Sequence, residues 1–265
     1  MEAAADVVAI GPGIAISYAV DSYVDPWREP ETVLMLHGNA ESATAWYGWV
    51  PVLGRHFRLV RPDMRGFGAS TAMPESHRWS LDELVSDNLT LLDHLGVQRV
   101  HVVASKIACY VALKLAHDAP VRVMSLTLAG PPPPVAELTR RVPPVDTVRK
   151  KGVEGWAREN MAARLGPGMP PEALDWWARF MGRTPATTQV GFMQSLSIFD
   201  IEDALPPLDK RALVLVPEAD AGDGDRWRRV MPQAQLVPVR GKSYHVAATD
   251  PDFCAAETLR FLREV

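Results

Sequence analysis

The feature that most constrains this chain is a series of short, near-continuous apolar runs set between helical patterns, at 33–36, 57–60, 100–103, 126–128, 212–216 and 236–239. Near-continuous Val/Leu runs suit strands buried on both faces, which is the condition of a parallel sheet covered by helices. Residues 14–18 (Ile-Ala-Ile-Ser-Tyr) read as part of an antiparallel opening hairpin instead.

Between the runs lie helix signals. Ser80 and Glu83 form a capping-box pattern. Leu81, Leu84, Val85, Leu89, Leu92 and Leu95 then recur at helical spacing, and Gly96 closes the helix. Further helices are expected over 110–117, directly after the third run, and over 252–264.

The alternation stops at 131–207. This segment opens on four prolines, holds no strand-like run and carries Trp156, Met161, Trp176, Trp177, Phe180, Met181, Phe192, Met193 and Phe199. It reads as a helical cap, leaving 1–130 and 208–265 as the α/β core.

Bulk properties exclude several classes. A net charge of −4 gives nucleic acid or an anionic membrane little to attract. No stretch approaches the roughly 18 apolar residues of a membrane span. The opening Met-Glu-Ala-Ala-Ala-Asp lacks the basic region of a secretory signal. Two cysteines, Cys109 and Cys254, make neither a disulfide framework nor a metal cluster. A soluble, cytoplasmic monomer or homodimer without metal or cofactor is expected, with a small-molecule partner. There is no P-loop, dinucleotide fingerprint or metal-ligand spacing.

Four stretches carry the chemistry. Leu36-His37-Gly38-Asn39 follows the first buried run. Pro62-Asp63-Met64-Arg65-Gly66-Phe67-Gly68-Ala69-Ser70 is a glycine-rich turn. Val102-Val103-Ala104-Ser105-Lys106-Ile107-Ala108-Cys109 joins strand to helix, and Val239-Arg240-Gly241-Lys242-Ser243-Tyr244-His245 lies near the end. In this order and spacing, over about residues 8–262, the chain resembles the α/β-hydrolase superfamily, in the branch of small capped esterases, lactonases, carbon–carbon hydrolases and haloperoxidase-like proteins. The resemblance implies a mostly parallel eight-stranded sheet flanked by helices, and activity on a small carbonyl compound.

The third stretch departs from the family's Gly-x-Ser-x-Gly elbow, a sharp turn that needs small residues two positions either side of the exposed nucleophile. Ala104 and Ala108 are those flanks when Lys106 is the tip. Ser105 at the tip would set β-branched Val103 and Ile107 there, which the turn should reject. Ala104 and Cys109, where glycine is usual, mark an elbow that has diverged along its length, although an engineered exchange of serine for lysine would leave the same residue at the tip.

The resemblance further implies that His245 is the catalytic histidine and Asp220 the acid orienting it, with Asp223, Asp225 and Glu218 as rivals. It implies an oxyanion hole from the backbone N–H groups of Asn39 and Ile107, and a structural role for His37. Trp46, Tyr47, Trp156, Trp177, Phe180 and Met181 are candidates for the substrate pocket, with core packing the alternative for each.

Acylation of a lysine amine would give an amide, which water cleaves far more slowly than an ester, so ester turnover through acyl-Lys106 would stall. Three routes stay open. His245 with Asp220 activates water while Lys106 binds a carboxylate or oxyanion as a cation. Lys106 forms a Schiff base with a ketone and promotes carbon–carbon cleavage or decarboxylation. Or the pocket binds a ligand without turnover.

Overall fold

A computed structural model describes residues 6–141, 143–202 and 204–265. Residues 1–5, on which the expectation about the N-terminus rests, lie outside the described residues.

Eight strands form one sheet: β1 (Asp6–Gly11), β2 (Ile14–Asp21), β3 (Thr32–Leu36), β4 (Arg58–Pro62), β5 (Val100–Ser105), β6 (Val123–Ala129), β7 (Arg211–Pro217) and β8 (Ala234–Val239). Their order is β1-β2-β4-β3-β5-β6-β7-β8. β1 pairs antiparallel with β2, and β2 with β4; every pairing from β4 to β8 is parallel. All residues of β3 and β5 are buried, as strands covered on both faces must be.

One apolar layer lies between the sheet and α2 (Leu81–His94) and α3 (Ala108–Asp118). The other face carries α1 (Val50–Leu53), α9 (Val246–Thr249) and α10 (Pro251–Leu262). The start of α2 is as its sequence dictates: the Ser80 side chain accepts from the Glu83 N–H at 3.1 Å.

Between β6 and β7 the regular elements among the described residues are helical: α4 (Val135–Arg141), α5 (Val145–Leu165), α6 (Pro171–Met181), α7 (Ala186–Gln194) and a 3-10 turn at Leu196–Phe199. α5 breaks at Gly152, whose φ of 71° no helix interior accepts. Trp156, Trp177, Phe180 and Met181 pack with Val148, Val153 and Met161 into a third apolar cluster, apart from the two sheet faces. α8 (Gly224–Val230) precedes β8. No helix of the described residues is long and apolar enough to cross a membrane.

Candidate active site

The site is built by loops at the carboxyl ends of strands. β3 leads into residues 37–41, β5 into Lys106, and β8 into the loop ending at His245. β3 lies between β4 and β5, so the connections leaving β3 and β4 run to opposite sides and open a crevice there. Open α/β sheets bind ligands at such a switch point.

Lys106 takes the sharp bend. Its φ is +54°, one of two positive values at non-glycine residues among those described, the other being Ala40. A left-handed lysine costs roughly 1–2 kcal/mol relative to glycine, and its surroundings hold it there. Its N–H donates to the Ala129 carbonyl at 3.1 Å, and Ala104 and Ala108 sit fully packed at its flanks. Ser105 is the last residue of β5, buried, its hydroxyl without a hydrogen-bond partner.

The Lys106 side chain is 4 % exposed and its amine meets Oε1 of Glu41. The same oxygen receives Nε2 of His245 at 2.9 Å, and Oε2 accepts the Gly38 N–H at 2.9 Å. One buried carboxylate therefore joins the elbow lysine to the histidine. Sequence reasoning missed Glu41. The one signal was a charged residue in the small-residue stretch Gly38-Asn39-Ala40-Glu41-Ser42, close behind a buried strand.

The charges of this trio are set by burial and by one another. Burial pushes the Glu41 carboxyl up, but Lys106 and His245 outweigh it and hold the group well below the usual carboxylate range. Burial pulls the Lys106 amine down to about 8 against the opposing pull of Glu41, with Arg164 adding to the depression. Burial, then the Lys106 charge, lower His245 to about 4. At neutral pH the imidazole is uncharged. Bonding to an ionised carboxylate puts its proton on Nε2 and leaves Nδ1 as a buried lone pair with no hydrogen bond.

That orphaned Nδ1 bears on Asp220. Asp220 is exposed on the 3-10 turn Glu218–Asp223 after β7, and it does not hydrogen-bond the His245 ring. The expected acid–histidine contact is thus absent from this arrangement, and a carboxylate on the other ring nitrogen, Glu41, stands in contact instead. Glu218 and Asp225 are likewise exposed; the Asp223 side chain lies outside the described residues.

Other expected residues separate into two groups. Asn39, Ile107 and Trp156 line a cavity of about 40 Å³ beside Lys106, together with Pro132, Leu138, Arg164, Met193, Leu196 and Tyr244. Its size suits a few waters or a ligand of similar bulk. Trp177 stands edge-on to the His245 ring at 4.8 Å. Tyr47 and Phe180 instead border an outer groove of about 810 Å³ that reaches Glu41 and Arg183, and half-exposed Tyr47 packs edge-on against Trp176. Trp46 and Met181 are core residues, not pocket walls. Trp46 is 1 % exposed against Trp49 under the sheet, and Met181 is buried in the helical cluster. His37 is structural: its Nδ1 pairs with the Gly38 carbonyl and its Nε2 accepts the Met64 N–H, each at 2.8 Å.

The His245 loop is pinned from two sides. Ser243 donates to the Arg164 carbonyl at 2.6 Å and accepts the His245 N–H at 3.0 Å. Gly130, with φ +61°, lies so near that a Cβ there would collide with the Tyr244 carbonyl. Gly130→Ala is therefore expected to cost about 1–3 kcal/mol of stability and to move His245 off Glu41. Thermal unfolding and the His245 ring resonances would check both effects.

Comparisons with known proteins agree with this fold. The family description "alpha/beta hydrolase fold" matches residues 31–171. The 2-hydroxy-6-oxo-2,4-heptadienoate hydrolase of Pseudomonas putida is 35% identical over 101 residues, covering 37% of this chain and 36% of that protein. The 2-hydroxymuconate semialdehyde hydrolase of a Pseudomonas species is 34% identical over 101 residues, covering 37% and 35%. The chain thus spans about a third of the length of these curated relatives. Among solved structures, a thermophilic esterase from Thermogutta terrifontis has a TM-score of 0.83 at 22% identity over 99% of both chains. The enol-lactonase of Burkholderia xenovorans has 0.79 at 18% identity, over 97% of this chain and 100% of its own. With the family's pattern spanning both the His37 loop and the Lys106 bend, and the whole sheet superposing on such structures, this chain belongs to the α/β hydrolase fold family.

Proposed function

We propose that this protein is an enzyme acting on a small carbonyl compound, with Lys106 as an amine nucleophile that forms an imine with a ketone and promotes hydrolytic cleavage of a neighbouring carbon–carbon bond. The observation that carries the reading is a buried amine at the sharp bend, lowered to about 8 and lining a small cavity beside Asn39 and Ile107. With such a value roughly a tenth of the amine is neutral at pH 7, against well under one in a thousand at the ordinary value.

The chemistry balances without a cofactor. The neutral amine adds to the ketone carbon, and water leaves to give the imine. Water first adds to the second carbonyl, the one that will depart; as the bond to that carbon breaks, its electron pair passes through the forming enamine to the protonated imine nitrogen, and the hydrated fragment leaves as a carboxylic acid. The enamine is protonated on carbon, and a second water releases the ketone and restores Lys106. Glu41, in contact with both Lys106 and His245, is the path by which protons reach and leave the amine. The helices between β6 and β7 serve as a cap over the cavity. Asn39 and Ile107 offer backbone N–H groups to an oxyanion on the substrate. Activation of water by His245 through Nε2 is disfavoured, because that nitrogen is engaged with Glu41. The names of the two Pseudomonas relatives, both hydrolases, support a hydrolytic outcome.

Borohydride reduction in the presence of saturating ketone is expected to fix the ketone's mass on the peptide carrying Lys106. The rate of trapping should rise with pH through about 8, since the ammonium form cannot attack. No limb is expected near 6.5, because His245 stays neutral down to about 4. An unmodified Lys106 after exhaustive reduction would remove the imine and leave the lysine as a cation paired with Glu41.

A further inference from the structure

Arg164, in the last turn of α5, is the buried charge that the trio does not use. Among the described residues three arginines are buried, and two of them are clamped by carboxylates. Arg61 meets Asp21 at 2.6 Å, while Arg65 grips Asp87 at 2.5 Å and Glu83 at 3.0 Å. Arg164, 4 % exposed, has no carboxylate partner among the described residues. Its Nε has no hydrogen bond, and among the described residues its side chain has one contact of that kind, a long 3.4 Å one from Nη2 to Asn160. Burying a guanidinium without an anion is costly.

Its position is fixed from several directions. The guanidinium lies over the Trp156 ring at 5.2 Å and near the Tyr244 ring at 5.9 Å. Its own carbonyl holds Ser243. Arg164 lines the same cavity as Lys106 and Asn39, and the buried Asn39 side-chain oxygen is also without a partner there. Lys106 is not the waiting cation, because Glu41 already neutralises it.

We infer that Arg164 receives a carboxylate of the substrate, so that the compound taken at Lys106 is a small oxo acid. A planar, forked donor set matches a carboxylate by two parallel hydrogen bonds. A cavity of about 40 Å³ favours a short chain. The inference rests on the reading of this cavity as the substrate site, but the arginine's role does not require an imine at Lys106.

The test is a binding titration of the intact protein with pyruvate, acetoacetate and 4-oxopentanoate, each beside its methyl ester. At least one acid is expected to bind about 10- to 100-fold more tightly than its ester. In Arg164→Gln that preference should fall to near parity, and Arg164→Lys should restore part of it. Equal binding of acid and ester to the unaltered protein, or no binding of any acid at millimolar concentration, overturns the inference even if the variants do not fold. A preference unchanged in folded Arg164→Gln also overturns it. Borohydride trapping on the same samples separates the two proposals. Adducts formed equally with acids and esters sink the carboxylate site alone. A full acid preference without any adduct at Lys106 sinks the imine alone.

Discussion

Lys106→Met is expected to lower turnover of the ketone substrate by at least about a thousand-fold, the scale on which loss of a covalent nucleophile is felt, while leaving a folded protein. The fold should survive because methionine matches the lysine stem in length and the charge it leaves behind is not stranded. Glu41 keeps the Gly38 N–H and the His245 ring. Removing the Lys106 charge also removes one of the two main causes that depress His245. The imidazole should therefore titrate above about 4 in the variant, with burial still holding it below its ordinary value. An NMR titration of the ring, together with steady-state kinetics, reads both effects. Turnover within ten-fold of the unaltered protein would show that the amine does not form a bond to the substrate.

Glu41→Leu is expected to be more damaging to the fold than to any single step. The carboxylate is fully buried and takes contacts from Lys106, His245 and Gly38. Removing one member of a buried ion pair leaves an uncompensated charge and typically costs about 3–5 kcal/mol. Here the stranded group is the Lys106 ammonium, with Arg164 already near enough to disfavour its charge. The lysine will shed its proton more readily, so part of the cost should fade above the amine's new, lower value. Stability of the variant should rise with pH across the neutral range, because the unfolded chain binds the lysine proton that the folded chain rejects. Glu41→Leu combined with Lys106→Met should be more stable than Glu41→Leu alone, since no unpaired ammonium remains. Denaturant titration of the single and double variants measures this. A single variant as stable as the unaltered protein would mean that Lys106 reaches solvent or another anion.

The parts of this architecture that were legible in the sequence are those set by local rules. Strands β3, β5 and β7 are buried on both faces over almost their whole length, so their residues had to be mostly apolar. The bend at Lys106 was legible because strand and helix pass closely enough there to demand Ala104 and Ala108. Glu41 was not, because its partners lie 65 and 204 residues away and no periodicity links them. Asp220 was singled out because it follows β7. That turn carries Glu218, Asp220 and Asp223, and spacing alone does not say which of them, if any, turns inward. Trp46 and Tyr47 are neighbours in sequence yet point one into the core and one to the outer groove. A short 3-10 turn at Ala43–Trp46, rather than a strand or a long helix, sets those directions. Arg164 gave no signal because a lone arginine in a helix is ordinarily a solvated one.

Burial draws the Lys106 amine down from its ordinary 10.5 to about 8, and the nucleophilic role depends on that shift. Isotope labelling of lysine, with heteronuclear NMR following the signal absent from Lys106→Met through a pH titration, measures it directly. A midpoint within about one unit of 8 is the predicted result. A midpoint at or above 10.5 would mean an amine held charged throughout the neutral range, and would contradict attack by Lys106 on a carbonyl.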